Sequence, residues 1–252
     1  MILNRLRKIR AGARALPSVE TGERIYAIGD VHGRLDLLEK LLQKIEQDNN
    51  GRLLAQTKII FLGDLIDRGP DSRRVIERAM ALANSKYKII FLKGNHEELF
   101  IKAYRGDRRA ASVLNRVGGR ETLLSYGVTP EEYDHADLGD LLILLAKYIP
   151  ENHINFIEAF EDWHVSNEYV FVHAGLRPHV PLTSQRQSDL RWIRREFLEH
   201  RESHGLMVVH GHSVCQYVDE QSNRIGIDTG AWASGRLTAV ALEEERRWYL
   251  NT

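Results

Sequence analysis

The chain is 252 residues long, enough to bury one sizeable core, and carries 35 basic against 35 acidic residues for a formal net charge of zero. That balance speaks against a nucleic-acid-binding protein, which needs a basic excess, and no run approaches the ~18 apolar residues of a stable membrane span. Cys215 stands alone, so there is no disulfide framework, and a cytoplasmic location is expected.

Residues 1–17 hold Arg5, Arg7, Lys8, Arg10 and Arg14 with no acid, and read as a basic, loosely ordered tail before a single domain over 18–252. From residue 24 a pattern repeats three times: a short apolar run, a glycine-containing polar turn, then helical spacing. Ile25–Ile28 leads into Gly29-Asp30, after which Leu35, Leu38, Leu41, Leu42 and Ile45 recur at helical intervals until Asn49-Asn50-Gly51. Ile59–Leu62 leads into Gly63-Asp64 with a helix over 72–83, and Ile89–Leu92 leads into Gly94-Asn95-His96. This alternation predicts a layered α/β fold with a largely parallel sheet. Residues 99–163 lack strand signals and read as a helical insertion broken at Val117-Gly118-Gly119. Strands return at Tyr169–Val172 and Met207–Val209. Ile225–Ile227 and Leu237–Ala241 are expected to close the fold as an antiparallel pair.

Five of these runs end in a loop that carries a metal-ligating residue type: Asp30 and His32, then Asp64, Asn95, His173 and His212. Loops at the carboxyl ends of strands converge, so groups far apart in sequence can share one site. Hard oxygen and borderline nitrogen donors suit Mn, Fe or Zn, and the absence of cysteine argues against a structural zinc knot. Each signal alone is weak, since a turn aspartate or a surface histidine explains it. Five together are not so easily explained, and Gly29, Gly63 and Gly94 beside them are expected to let the backbone turn sharply close to the ions. His210 lies two residues before His212, and spacing alone does not separate them as ligands. His135, His153, His164, His179, His200 and His204 have no motif around them and are expected on the surface.

Gly29-Asp30-Val31-His32-Gly33, Gly63-Asp64-Leu65-Ile66-Asp67-Arg68-Gly69 and Gly94-Asn95-His96-Glu97 resemble, in order and spacing, the three signature motifs of the phosphoprotein phosphatase family within the calcineurin-like metallophosphoesterases. His173-Ala174-Gly175 and Gly211-His212-Ser213 resemble its later histidine turns, and Leu190–Arg194 is similar to the segment with its second phosphate-binding arginine. The resemblance implies mixed sheets layered as a β-sandwich and flanked by helices. It also implies two divalent cations, manganese first and iron or zinc after it. Asp30, His32 and Asp64 would hold one, and Asp64, Asn95, His173 and His212 the other. The pair would clamp the phosphate and activate a water, so no nucleophilic serine or cysteine is required. His96 would be the general acid, Asp67 its orienting partner, and Arg68 and Arg194 the phosphate grip.

Because the aspartate of the second motif and the histidine of the first are both kept, the resemblance implies a phosphomonoester hydrolase. A serine/threonine protein phosphatase acting on phosphorylated protein or small phosphate esters is the leading expectation. Hydrolysis of nucleoside polyphosphates, of the dinucleoside tetraphosphate type, is the alternative, and a non-catalytic phosphoprotein-binding scaffold a remoter one. Residues 115–123 resemble a region that covers the active site in bacterial members, and are expected to bear on substrate choice.

Overall fold

The structure, a computed structural model, describes residues 16–252; the basic stretch at the amino terminus lies outside the described residues. The chain begins with β1 (Glu23–Ile28), α1 (Leu35–Asn50), β2 (Gln56–Phe61), α2 (Ser72–Leu82) and β3 (Lys88–Phe91). Six helices follow: α3 (Asn95–Tyr104), α4 (Arg108–Val117), α5 (Gly119–Ser125), α6 (Pro130–Asp134), α7 (Leu138–Tyr148) and α8 (Glu151–Glu158). The remainder is β4 (Trp163–Ser166), β5 (Tyr169–Val172), α9 (Gln187–Trp192), α10 (Arg195–Leu198), β6 (Met207–His210), β7 (Asp219–Glu220), β8 (Arg224–Gly226), α11 (Ala231–Ser234), β9 (Thr238–Glu243) and β10 (Arg246–Asn251).

These strands form two mixed five-stranded sheets, ordered β10-β9-β1-β2-β3 and β4-β5-β6-β8-β7. The expected βαβ repeats are present, with β1, β2 and β3 parallel. Each sheet also gains antiparallel edges, so the arrangement is a sandwich of mixed sheets rather than one mainly parallel sheet. The expected closing pair does not form. β8 lies parallel to β6 in the second sheet, and β9 runs antiparallel to β1 in the first. The glycines between them, Gly230 and Gly235, have left-handed backbones at either end of α11, so the connection crosses between sheets instead of turning back.

Three apolar layers explain why the strands read as continuous hydrophobic runs. Tyr26, Ile28, Ile59 and Phe61 pack outward against the helices, while Ile25, Ala27, Ile60 and Leu62 face Phe171, Val209 and Ile225 between the sheets. On the far side, Val170, Val172 and Val208 meet Leu190, Ile193 and Phe197. Strands buried on both faces lose the polar alternation of a half-exposed sheet. The parallel strands β1, β2, β5 and β6 consequently point their carboxyl ends toward shared ground, and the loops there carry the polar residues.

Candidate metal centre and active site

Asp30, His32, Asp64, Asn95, His96, Asp67, His173 and His212 are all buried, and the structure brings them together from loops 28 to 212. Two donor groups form, His32–Asp64–His96 and Asp64–His173–His212, and both contain Asp64. Asp64 Oδ2 lies 3.7 Å from His32 Nε2, 3.8 Å from His96 Nε2 and 3.4 Å from His173 Nε2. Separations of this size suit atoms that each sit ~2.1 Å from a common cation.

Hydrogen bonds fix which face each imidazole offers. His32 Nδ1 donates to the Ile66 carbonyl at 2.7 Å and His173 Nδ1 to the Leu62 carbonyl at 2.8 Å, so both Nε2 lone pairs face the site. His212 Nε2 accepts from Arg194 Nε at 3.1 Å, so that nitrogen carries no proton and its lone pair is held by the guanidinium. Burial pushes the His32 and His212 pKa values down, and that of His173 down to about 4, which keeps these rings in the neutral, ligating form. Asp30 is pushed well above the usual carboxylate range by burial, and then by the charges of Asp228 and Asp64. A crowd of buried carboxylates is stabilised by cations, and the oxygen and imidazole donors match hard to borderline divalent metals. On these grounds the residues fit a metal pair.

The loops need glycine for contact with carboxylates and with one another. A Cβ at Gly94 would fall 2.1 Å from Asp64 Oδ1, and one at Gly211 2.1 Å from Asp30 Oδ1. Those same carboxylates accept backbone N–H groups, Asp64 from His96 and Asp30 from His212. Gly29 packs on the Ile227 carbonyl, and Gly63, with φ 102° as expected of a sharp turn, packs on Gly94 and His173. His32, Asp64, Asp67, Arg68 and His212 all have φ between 47° and 72°. Non-glycine residues hold that conformation only where surrounding contacts impose it, and such strain gathers at functional sites.

His96 Nδ1 donates to Asp67 Oδ2 at 2.6 Å. Burial alone would lower the His96 pKa, but the Asp64 charge and the Asp67 hydrogen bond outweigh it and raise it. The other Asp67 oxygen accepts from Thr122 Oγ1 at 2.6 Å, and Asp67 N–H donates back to Thr122 at 2.9 Å. Arg68 reaches His32 and His96 with its two terminal nitrogens, at 3.0 and 3.2 Å. Arg194, exposed, reaches His212. The segment 115–123 therefore touches the site from behind, through Thr122 on Asp67 and the Gly118 carbonyl on the Arg68 N–H.

Sequence reasoning passed over three residues besides Thr122. Glu97, wholly buried, accepts the N–H groups of Asp64, Leu65 and Gly94 at 2.8, 2.8 and 2.9 Å. Its only sequence signal is the acid next to His96. Asp228 is 1 % exposed, and its Oδ2 has no partner among the described residues. Trp232 is exposed with the Arg68 guanidinium 5.3 Å from its ring. His210 stays on β6, bonds the Gly211 carbonyl and packs on Phe197, outside both donor groups. The chain bends at His212 (φ 61°), so the two histidines do not share a direction. His153 is buried and bonded to Tyr126 rather than on the surface, and His164, His200 and His204 are half-buried.

Residues 23–229 match the calcineurin-like phosphoesterase family. The chain belongs to that family. It is a metal-dependent phosphoesterase, and the buried Asp and His groups could hold the divalent metals on which such enzymes depend. The asymmetrical bis(5'-nucleosyl)-tetraphosphatase PrpE of Oceanobacillus iheyensis is 29% identical over 88% of this phosphoesterase and 90% of that protein. A protein named by inference a diadenosine tetraphosphatase shares its fold with a TM-score of 0.63, covering 94% of this chain and 98% of the other at 19% identity. The cold-active protein-tyrosine phosphatase of a psychrophilic Shewanella has a TM-score of 0.53 over 92% and 83% at 16% identity. Among the described residues, no helix is long and apolar enough to cross a membrane.

Proposed function

We propose that this phosphoesterase hydrolyses dinucleoside polyphosphates, cutting a dinucleoside tetraphosphate asymmetrically, the reading set second on sequence alone. The observation that carries it is the end-to-end similarity to a protein named for that activity, at 90% coverage. Two features of the site support it. Arg68 bonds His32 and His96 while Arg194 bonds His212, a spread cationic grip suited to a chain of phosphates. Trp232, exposed beside Arg68, offers a flat ring on which a base can stack.

In this reading Asp30, His32 and Asp64 would hold one cation and Asp64, Asn95, His173 and His212 the other. Manganese is preferred over iron or zinc. When bound, the pair supplies Lewis-acid charge and an activated water for in-line attack. Arg68 and Arg194 turn from the imidazoles to phosphate oxygens and offset the charge that develops there. His96, oriented through Nδ1 by Asp67, delivers the proton from Nε2 to the departing oxygen.

Phosphomonoester cleavage is the second reading, favoured by the intact His96–Asp67 pair. Such a pair is most useful when the leaving group is a poor one such as an alkoxide. Steady-state assays with Mn²⁺ on a dinucleoside tetraphosphate and on a phosphoserine peptide separate the two. The proposal expects kcat/KM higher for the dinucleotide by at least about tenfold, with nucleoside tri- and monophosphate as products. Higher kcat/KM on the peptide would reverse the order.

A further inference from the structure

A second constellation of ligating side chains lies apart from the paired centre. His179 lies in a turn of the loop after β5, and His200-Arg201-Glu202-Ser203-His204 precedes β6, so alternate residues of one short stretch are potential ligands. One donor atom from each of His179, His200 and Glu202 lies within 4.8 Å of the others. The His179 and His200 rings meet edge to face at 5.2 Å, and His204 adjoins His200 at 4.8 Å. His204 comes before the first residue of β6 and His212 after its last, so the two constellations sit at opposite ends of that strand.

The stretch is held from beneath. Asn223, buried, gives its side-chain N–H groups to the carbonyls of His200 (3.0 Å) and Glu202 (2.7 Å), which fixes the backbone of both. His179 takes a left-handed backbone with φ 62°, the same conformation adopted by five residues of the paired centre. A cavity of about 320 Å³ adjoins His179 and His204, and His204 Nε2 is buried with no hydrogen-bond partner among the described residues. His179 and Glu202 are exposed and His200 half-buried, so the three donors are open to a cation from solvent.

We infer that His179, His200 and Glu202 form a separate, mononuclear site for a borderline divalent cation of the Zn²⁺ class. Two imidazoles and one carboxylate suit zinc, with a water in the fourth position, whereas calcium and magnesium demand more oxygen donors. A cation there ties the loop after β5 to the loop before β6, at the end of the segment that carries Arg194.

The test is zinc titration of chelator-stripped, full-length protein against a chromophoric chelator, alongside His200→Ala and Glu202→Gln. Wild type is expected to bind one equivalent more than either variant, and both variants to keep Mn²⁺-dependent phosphoesterase activity. Cobalt gives a second readout: visible d–d bands of a tetrahedral site should persist in a His173→Ala variant and vanish when His200→Ala is added. Equal zinc stoichiometry in wild type and both variants, or cobalt bands indifferent to His200, overturns the inference. Should His200→Ala not fold, Glu202→Gln decides alone, because its backbone carbonyl still receives the Asn223 amide. Loss of activity in wild type with this equivalent retained would count against the proposed reaction, not against this site.

Discussion

His96 shows how much a single side chain can be asked to do. Its ring is 1 % exposed, its Nδ1 is committed to Asp67, and only Nε2 can serve a substrate. Replacing it, His96→Asn, is expected to lower kcat by about 10²–10⁴ for an alkyl phosphate, and less for an ester with a good leaving group that departs without a proton. Assays over leaving groups of graded pKa test this; an equal loss across the series contradicts the acid role. His210 supplies a pH-dependent term of a different kind. Burial pushes its pKa down to about 4, below its value in the unfolded chain. The neutral ring is the one the fold accommodates, so its stabilisation is complete above about pH 6.5 and is lost as pH falls toward 4, on the order of 3 kcal/mol in all. Urea midpoints of chelator-stripped protein at pH 7 and pH 5 should fall less for His210→Gln than for wild type; an equal fall in both removes His210 from the account. The candidate ligands could be picked out because each lies just past an apolar run, with a glycine directly before Asp30, Asp64, Asn95 and His212. Thr122 and Asp228 were not, because what matters about them is a partner or a neighbour: Asp67, 55 positions from Thr122 in the chain, and Asp30 beside Asp228.

Among the elements, the loop after β2 and the start of α3 act as one unit, bound by Glu97. Three backbone N–H groups in a dry setting depend on its carboxylate. Glu97→Gln keeps the shape but puts an N–H group where an acceptor stood, and should destabilise the fold by about 2–3 kcal/mol and weaken metal binding about 10–100-fold. Chemical denaturation and metal titration measure the two effects; unchanged metal affinity would show that Glu97 does not position Asp64. Element order was readable over β1 to β3 because strand and helix periods alternate cleanly there. It failed at β8 and β9, where short apolar runs flank glycines in a way that suits a hairpin. Gly230 and Gly235 instead cap the single turn α11 between two sheets. Local sequence carries no signal for which sheet a strand joins.

At the scale of the whole molecule, two sheets back to back deliver their loops to one rim. Asp30, Asp64 and Asn95 come from the first sheet and His173 and His212 from the second, so the site spans the sandwich and depends on the packing between them. Asp64 is the joint, shared by both donor groups. Substrate preference was the least legible property, since the motifs speak only to the chemistry at the phosphate, and the proposed roles of Trp232 and the arginines depend on neighbours that only the fold brings together. The central claim is that these loops hold two cations close together with Asp64 between them. Electron paramagnetic resonance of the Mn²⁺-loaded protein tests it most directly. The account predicts the multiline spectrum of a spin-coupled manganese pair in wild type and its loss in Asp64→Asn; a spectrum of isolated Mn²⁺ ions alone in wild type would contradict it.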